Sequence, residues 1–393
     1  MRDVVADCRR KQPGLGEAVS LVLRFPIQGR NCDNSQFILL SGARLLSSEY
    51  PINIAVIGVG AFGRNHARVY QQLQQAGGVR LVGVVDPDTA RADMVAREFG
   101  CKSFGSVEQM LTTHSEVQAA SVAVPTVLHR KVASMLMEAG VDVLIEKPLA
   151  ATLAEADELL RLAAAHKRVA QVGHLERFNP AVRATLPLLN RPMFFEVHRL
   201  SVFSPRALDV DVVLDLMIHD LDVVLTFVKS RVQEIRAVGL PILSGKVDIA
   251  NVRIEFESGC VANFTASRVS TERVRKLRFF QAGQYVSIDY GRQDVLVFSV
   301  AGGAEIAHAL AQNADDSRTR PSLNPQIAMA KPPITAEEPL LAEIKAFLQS
   351  VRERSRPVVS LEDGRQALEL GLAILAEIAR HAGRIGVGNI KQS

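Results

Sequence analysis

The sequence has little cysteine, and it lacks long apolar runs. Its four cysteines, Cys8, Cys32, Cys101 and Cys260, lie far apart and form no C-x-x-C pair, which argues against a metal cluster and against a disulfide framework. No apolar run approaches the roughly 18 residues that a membrane span requires, and the segment 18–23 is too short for a signal peptide. We therefore expect a cytoplasmic protein with no metal site and no membrane partner.

A large excess of either charge is also missing. The chain contains 46 lysines and arginines and 42 aspartates and glutamates, spread along its length, for a net charge of +4. This balance gives no reason to expect nucleic acid as a partner. Single hydrophobic cores stop growing near roughly 250 to 300 residues. A chain of 393 residues therefore predicts two domains.

The stretch Ile52–His66, INIAVIGVGAFGRNH, has the form of a buried strand, a glycine-rich turn and a helix. Gly58, Gly60 and Gly63 follow the G-x-G-x-x-G spacing, which permits a tight turn, close approach of a pyrophosphate and close packing of the helix on its strand. The next predicted strand ends in Asp86. The combination predicts a dinucleotide site. Its loop residues are Gly58, Gly60, Ala61, Phe62 and Gly63.

Asp86 indicates which dinucleotide binds. A carboxylate at the end of the second strand can accept hydrogen bonds from both ribose hydroxyls of an adenosine, and it repels a 2′-phosphate. The sequence therefore predicts NAD rather than NADP as the cofactor.

Strand and helix alternate from residue 51 to residue 173, which predicts a doubly wound parallel sheet, an α/β domain of the Rossmann type. Two of its strands lead into the tripeptides Val124-Pro125-Thr126 and Glu146-Lys147-Pro148. Open α/β sheets bind their ligands at these carboxyl ends of strands. Residues 1–50 show no sustained period, so we interpret them as a poorly ordered extension or as the result of a start site assigned too early.

From residue 174 to residue 393, consecutive strands with few helices predict an α+β domain with a large, mostly antiparallel open sheet. One long helix, 212–228, interrupts the strands, and residues 301–336 have the composition of a loop. Helices at 338–352 and 361–381 carry apolar stripes and are expected to pack back on the first domain. Because a sheet with one uncovered apolar face needs a partner surface, we expect this domain to join a homodimer or homotetramer.

These motifs together resemble the Gfo/Idh/MocA family of nicotinamide-dependent sugar oxidoreductases, from about Ile52 to Gly383. The likeness rests on the glycine motif, Val124-Pro125-Thr126 with His129, Glu146-Lys147-Pro148, Gly173 with Arg177 and Pro180, and Asp215-x-x-x-His219. The resemblance implies that Lys147 lies between nicotinamide and substrate, facing Asp215 and His219. It also implies that Glu146 approaches the nicotinamide ribose. The cofactor residues added in this way are Pro125, Thr126, His129, Glu146 and Lys147.

The spacing of the residues supports the same catalytic group. Asp215, His219 and Asp222 lie at steps of four and three, so they share one face of the predicted helix. A histidine can take the hydroxyl proton of an alcohol while hydride leaves the carbon. Lys147, held in a cleft, can act as the base or as a polarising donor, and Asp215 can orient the histidine ring or bind a sugar hydroxyl. Which of Lys147 and His219 is the base is open at this stage.

Gly173–Pro180, GHLERFNP, together with Ser267-Arg268-Val269-Ser270, resembles a branch of the family that oxidises the 3-hydroxyl of UDP-linked N-acetylhexosamines, a step toward diamino sugars of the lipid A type. An arginine can hold a diphosphate bidentately and a helix start can supply amides, which makes Arg177, Asn179 and Arg268 candidate contacts of the diphosphate or the sugar. For the run 268–278, a solvated face of alternating basic residues is an equally good interpretation. The predicted substrate-binding residues are Lys147, Arg177, Asn179, Asp215, His219 and Arg268.

Two other functions fit the sequence. A dehydrogenase of a free polyol or sugar, of the inositol or glucose type, differs only in its pocket residues. A non-enzymatic NAD-binding regulator belongs to a different class, but it needs neither a proton acceptor nor a polarising lysine. The presence of Lys147 and His219 therefore argues against a regulator.

Overall fold

The computed structural model describes residues 51–203, 210–300 and 327–384. The extension predicted for residues 1–50 lies outside these ranges, as does most of the loop predicted for residues 301–336. Within them, no helix combines the length and the apolar character needed to cross a membrane.

The first sheet has six parallel strands in the order β3-β2-β1-β4-β5-β6, which confirms the doubly wound fold. Its strands are β1 Ile52–Ile57, β2 Val79–Val85, β3 Lys102–Phe104, β4 Ala119–Val122, β5 Asp142–Glu146 and β6 Ala170–Gly173. Its helices are α1 Ala61–Gln75, α2 Thr89–Phe99, α3 Val107–Thr113, α4 His129–Glu138 and α5 Leu153–Ala165. The strand order reverses between β1 and β4. Sheets of this kind bind ligands at that point, outside the carboxyl ends of the strands.

Short polar residues set where these helices begin. Asp88 and Ser106 accept hydrogen bonds from amides in the first turns of α2 and α3. Thr152 forms a capping box with Glu155 at the start of α5. Such caps satisfy amides that have no partner within the helix, and they fix the lengths of the loops that follow each strand.

The second sheet has eight strands in the order β14-β13-β12-β11-β7-β10-β9-β8. They are β7 Phe194–Val202, β8 Val232–Leu240, β9 Ile249–Phe256, β10 Val261–Ser270, β11 Val274–Gln281, β12 Gln284–Asp289, β13 Asp294–Val300 and β14 Ile327–Ala330. β7 and β10 pair in parallel and the other neighbours are antiparallel, as predicted. The loop prediction was wrong for β14, whose four residues are all exposed and therefore show no alternating pattern.

Within the described residues, four helices accompany the second sheet: α6 Pro180–Thr185, α7 Ile218–Val228, α8 Pro339–Glu353 and α9 Leu361–Arg384. The helix predicted over 212–228 is divided in two. Val213–Met217 form a π-helical turn, and α7 continues from it. Turns of this wider kind occur frequently at functional sites, and this one carries Asp215.

Helix α7 covers one face of the second sheet. Phe195 of β7 and Phe279 of β11 are buried on this face, and both rings contact Phe227 of α7, with centroids 6.3 and 5.9 Å away. The side chains that point to the opposite face of these two strands are half-exposed.

The last two helices tie the two sheets together. Ile344 and Phe347 of α8 are buried in one core with residues of β1 and α1. Helix α9 lies close to both sheets: a Cβ at Gly364 would lie 2.6 Å from a methyl of Val172 in β6, and a Cβ at Gly239 of β8 would lie 3.0 Å from the Cδ1 of Ile378. These contacts hold the carboxyl edge of the first sheet against the start of α7.

Candidate active site

The glycine-rich turn between β1 and α1 has the shape that a dinucleotide requires. Gly58 has φ +83°, and a Cβ there would lie 2.7 Å from the carbonyl oxygen of Ala123. A Cβ on Gly63 would lie 1.8 Å from the carbonyl oxygen of Gly58. Around Gly60, by contrast, no described atom lies within 4 Å of the Cβ position. The open space at Gly60, in front of the α1 N-terminus, fits a pyrophosphate.

Exposed residues border this turn. Ala61 and Phe62 form the exposed first turn of α1. Pro125 and Thr126 lie at the start of a short 3₁₀ turn that follows β4. All four remain candidate cofactor contacts.

Asp86, directly after β2, faces the glycine turn. Its Oδ2 accepts a hydrogen bond from the Val59 amide at 3.0 Å, and its Oδ1 accepts one from the Asp88 amide at 3.0 Å. The Nη1 atom of Arg91 lies 3.4 Å from both carboxylate oxygens. The sequence reasoning missed Arg91, which stands where a guanidinium can pair with a 2′-phosphate.

We expect the wild-type protein to use NAD more efficiently than NADP, and the substitution Asp86→Ser to reverse part of this preference. Removing the carboxylate abolishes the repulsion and lets the Nη1 atom of Arg91 turn to the added phosphate, while its Nη2 atom stays paired with Asp88. The NADP to NAD ratio of kcat/KM should rise roughly 10- to 100-fold. The double variant Asp86→Ser with Arg91→Gln should lose most of that gain. An unchanged ratio in Asp86→Ser, or a wild-type protein that prefers NADP, would contradict the role given to Asp86.

His129, predicted to contact the cofactor, lies between two main-chain carbonyl groups. The imidazole is buried, with Nδ1 2.9 Å from the carbonyl oxygen of Pro148 and Nε2 2.9 Å from that of Val124. Both ring nitrogens are therefore occupied by main-chain groups. The residue ties the loop after β4 to the Glu146-Lys147-Pro148 loop, and its contact with the cofactor remains a prediction.

Glu146 ends a buried chain of polar groups. Its Oε1 lies 2.9 Å from Nε2 of His66, whose Nδ1 lies 3.0 Å from the Ser121 hydroxyl, which is 2.7 Å from the Tyr70 hydroxyl. Glu343 of α8 is fully buried nearby, and burial raises the pKa of its carboxyl well above the usual value. This series of hydrogen-bonded side chains fixes the orientation of the Glu146 carboxyl group. The sequence pattern did not predict the series.

Lys147 and Asp215 meet across the cleft between the two sheets. The Nζ atom of Lys147 donates a hydrogen bond of 2.6 Å to the main-chain oxygen of Asp215 and lies 3.5 Å from its Oδ1. The wider π-helical turn at 213–217 presents both oxygens to the lysine. Two residues that are 68 positions apart in sequence are thus joined at the carboxyl edge of the first sheet.

His219 lies one turn beyond Asp215 and faces a positively charged environment. Burial lowers the pKa of the ring well below its usual value, and the charges of Lys147 and Arg199 lower it further. Its Nδ1 has no hydrogen-bond partner among the described residues. At neutral pH the ring is therefore uncharged and can accept a proton.

Arg177 and Asn179, two of the predicted substrate-binding residues, make hydrogen bonds within the protein. The Nε and Nη2 atoms of Arg177 donate to the two carboxylate oxygens of Asp222, at 2.8 and 3.0 Å. The buried side chain of Asn179 caps α6, and its amide donates to Glu176 and to the main-chain oxygen of Tyr290. These bonds hold both side chains within the fold, and their contacts with substrate remain predictions.

Arg268 also makes contacts within the fold, and its contact with substrate remains a prediction. It is only 5% exposed, donates a hydrogen bond to the main-chain oxygen of Val210, and lies 3.7 Å from a carboxylate oxygen of Asp248. The guanidinium joins β10 to the segment that precedes the π-helical turn. Its role is to hold that segment against the sheet.

Two further polar groups near His219 were missed. His174 is 1% exposed, and neither of its ring nitrogens has a hydrogen-bond partner in the part of the chain that the structure describes. Arg199 is bonded to Asp220 at 2.6 and 2.9 Å and to Glu176 at 3.0 Å. The sequence pattern does indicate that Arg199 is buried and paired. Strand alternation puts it on the same face as the apolar Phe195 and Val197, where a charge needs a partner.

The fold and this site together define a class of protein. A dinucleotide turn on one sheet, with a lysine from its carboxyl edge and an aspartate and a histidine from a second domain, is the arrangement of a dinucleotide-dependent oxidoreductase. The chain belongs to the GFO/IDH/MocA oxidoreductase family. Residues 52–174 match its model described as "Oxidoreductase family, NAD-binding Rossmann fold", and residues 193–283 match "GFO/IDH/MocA C-terminal domain". The predicted family is confirmed, and the cofactor is NAD.

Known proteins resemble the chain over most of its length. It is 34% identical to UDP-N-acetylglucosamine 3-dehydrogenase of Acidithiobacillus ferrooxidans, over 81% of this chain and 95% of that protein. A solved structure of that enzyme has a TM-score of 0.73 at 32% identity and covers 84% of this chain and 98% of its own. The NAD(+)-dependent scyllo-inositol 2-dehydrogenase of Bacillus subtilis is 26% identical over 83% of this chain and 93% of that protein.

Proposed function

We propose that this chain catalyses the NAD-dependent oxidation of the 3-hydroxyl group of UDP-N-acetylglucosamine to a ketone. The observation that carries the proposal is the convergence of Lys147 and Asp215 from opposite sides of one cleft, with the uncharged ring of His219 one helical turn away. The similarity to a UDP-N-acetylglucosamine 3-dehydrogenase over most of both chains supports this substrate.

We assign the proton transfer to His219 and the polarising role to Lys147. His219 is the better acceptor because its ring is uncharged at neutral pH. Lys147 donates a hydrogen bond to the π-helical turn and can donate another to the substrate oxygen while charge develops on it. Asp215 holds the lysine in place. NAD, when bound, supplies the hydride acceptor.

The product has chemical and cellular implications. A 3-keto sugar nucleotide is the kind of carbonyl compound that an aminotransferase converts to an amine, which leads to a diamino sugar of the lipid A type. Substrate and cofactor are both multiply charged and do not cross a bilayer unaided. We therefore propose a cytoplasmic reaction.

A screen of substrates tests the proposal against its rival. The relative that acts on scyllo-inositol fits the alternative, a dehydrogenase of a free polyol. Reduction of NAD should be measured with UDP-N-acetylglucosamine, UDP-glucose, N-acetylglucosamine and inositols. We expect the highest kcat/KM with UDP-N-acetylglucosamine. Turnover of an inositol without turnover of any UDP-sugar would establish the alternative.

The open face of the second sheet supports self-association. Four half-exposed rings form a row across β7, β11, β12 and β13: Phe194, Phe280, Tyr285 and Phe298, with successive centroids 5.5, 5.0 and 5.7 Å apart. A contiguous aromatic patch of this kind is typical of an interface. We propose a homodimer or homotetramer joined through this face.

Light scattering checks the assembly. The wild-type protein should have at least twice the monomer mass of 42.8 kDa, and Phe280→Asp combined with Tyr285→Asp should give the monomer, because charges buried at an interface are costly. Met94→Asp, which changes a residue that is 59% exposed on α2, is the matched control and should leave the mass unchanged. A monomeric wild-type protein at micromolar concentration would refute the interface.

A further inference from the structure

The basic run at residues 268–278 is divided by the fold into side chains with different surroundings. Arg268 is buried and bonded to the main chain. Lys276 and Arg278 point to the open face of the second sheet, where they lie 3.9 Å from Asp289 and 3.1 Å from Glu196. Arg273 is exposed in the turn before β11. These four cations are accounted for by structural pairs or by solvent.

Arg275 differs from all of them. It lies on the same side of β11 as Leu277 and Phe279, which are buried beneath α7, so it faces the catalytic helix at the end of the strand. In the sheet register it lies directly opposite Arg199 of β7. Its side chain reaches solvent there, at the edge of the core.

The carboxylates nearest to this position are already used. Arg199 takes both oxygens of Asp220 and one oxygen of Glu176, and its guanidinium lies over the ring of Tyr290, 5.1 Å from the centroid. Arg275 has no hydrogen-bond or ion-pair partner among the described residues. Two guanidinium groups thus lie beside two carboxylates, which attract both of them, but only Arg199 is hydrogen-bonded to those carboxylates.

The charge of Arg275 acts on the catalytic site. It is among the positive charges that lower the pKa of His219, and partial burial together with Arg199 lowers the pKa of Arg275 itself. A cation that is partly buried, reaches solvent and is bonded to no carboxylate can pair with an anionic ligand. The neighbouring residues therefore favour an anion beside His219.

We propose that Arg275 binds the diphosphate of the nucleotide sugar and thereby selects nucleotide-linked sugars over free ones; this rests on the proposed function. In such a substrate the diphosphate is attached to C1, two ring carbons from the C3 hydroxyl, so an arginine beside His219 is within reach of it. A guanidinium binds phosphate oxygens bidentately. Free polyols carry no such group and gain nothing from this residue.

Steady-state kinetics of Arg275→Gln and Arg275→Lys test the assignment, with Arg278→Gln as the matched control on the opposite face of the same strand. In Arg275→Gln, we expect the KM for UDP-N-acetylglucosamine to rise roughly 10- to 100-fold while the kcat and the KM for NAD stay close to wild type. Arg275→Lys should recover part of the affinity, and Arg278→Gln should behave as wild type. A KM for the UDP-sugar that is unchanged in Arg275→Gln, or a rise confined to the KM for NAD, would overturn the assignment.

Binding of UDP, measured by calorimetry in the presence of NADH, tests the diphosphate site independently of which sugar the protein oxidises. UDP that binds the wild-type protein and binds Arg275→Gln at least tenfold more weakly supports the diphosphate site, even if UDP-N-acetylglucosamine is not the sugar that is oxidised. Equal binding of UDP by both proteins, or no binding by the wild type, refutes the site. Melting temperatures of the two variants close to that of the wild type would show that the change is not a loss of folding.

Discussion

Replacing Lys147 by alanine is expected to lower kcat by roughly 10²- to 10⁴-fold, the range typical of a group that takes part in acid-base chemistry. The lysine extends from the carboxyl edge of the first sheet into the cleft, and its Nζ contacts two oxygens of Asp215. Alanine removes both the donor to the substrate oxygen and the link to the π-helical turn. The dissociation constant for NAD, measured by fluorescence titration, should change little.

A second variant of Lys147 shows whether a positive charge alone is enough or whether the shape of the lysine ammonium group is also required. Lys147→Arg keeps a cation but replaces a compact ammonium with a planar fork, so it should remain at least about tenfold below wild type. Lys131→Ala, at an exposed position of α4, is the control and should have wild-type activity. Full activity of Lys147→Ala would exclude the lysine from the reaction.

Replacing His219 by glutamine is expected to lower kcat/KM by a similar factor, roughly 10²- to 10⁴-fold. Glutamine keeps a polar side chain of comparable reach but cannot accept a proton at neutral pH. His198→Gln, on the open face of β7, is the matched control and should retain activity. Wild-type activity in His219→Gln would show that another group accepts the proton.

The lowered pKa of His219 determines how kcat/KM should change with pH. Burial and the neighbouring cations lower the pKa of His219 well below its ordinary value of 6.5. The acceptor form is the uncharged ring, so kcat/KM of the wild-type protein should stay level as the pH falls through 6.5 and decline only at lower pH. The residual activity of His219→Gln should lack that decline. A decline centred at or above 6.5 in the wild type would contradict the depressed pKa.

Local patterns explain what could be predicted from the sequence. The roles of Gly58, Gly60 and Gly63 depend on a strand, a turn and a helix that are contiguous in the chain, so their spacing already specifies the turn. Lys147 was predictable because it follows a run of buried strand residues, and the carboxyl end of such a strand is where this sheet binds ligands. The alternating strands of the second domain likewise predicted its antiparallel sheet.

The sequence does not reveal partners that only the tertiary fold provides. Arg177 is predicted to bind substrate, and the carboxylate with which it pairs in the structure, that of Asp222, lies 45 residues away. The run at 268–278 does not reveal which arginine faces the cleft, since that depends on the register of β11 against β7. The π-helical turn that aims Asp215 at Lys147 has no signature in the spacing, because its residues also fit the period of an ordinary helix.

Transfer of deuterium tests the proposed reaction most directly. UDP-N-acetylglucosamine carrying deuterium at C3 should be incubated with the wild-type protein and NAD, and both products should be examined by mass spectrometry and NMR. We expect the label to appear at C4 of the reduced nicotinamide and the sugar nucleotide to become a 3-ketone without deuterium. A sugar that keeps its label at C3 while NAD is reduced, or a labelled substrate that does not reduce NAD at all, would rule out oxidation of the C3 hydroxyl by this protein.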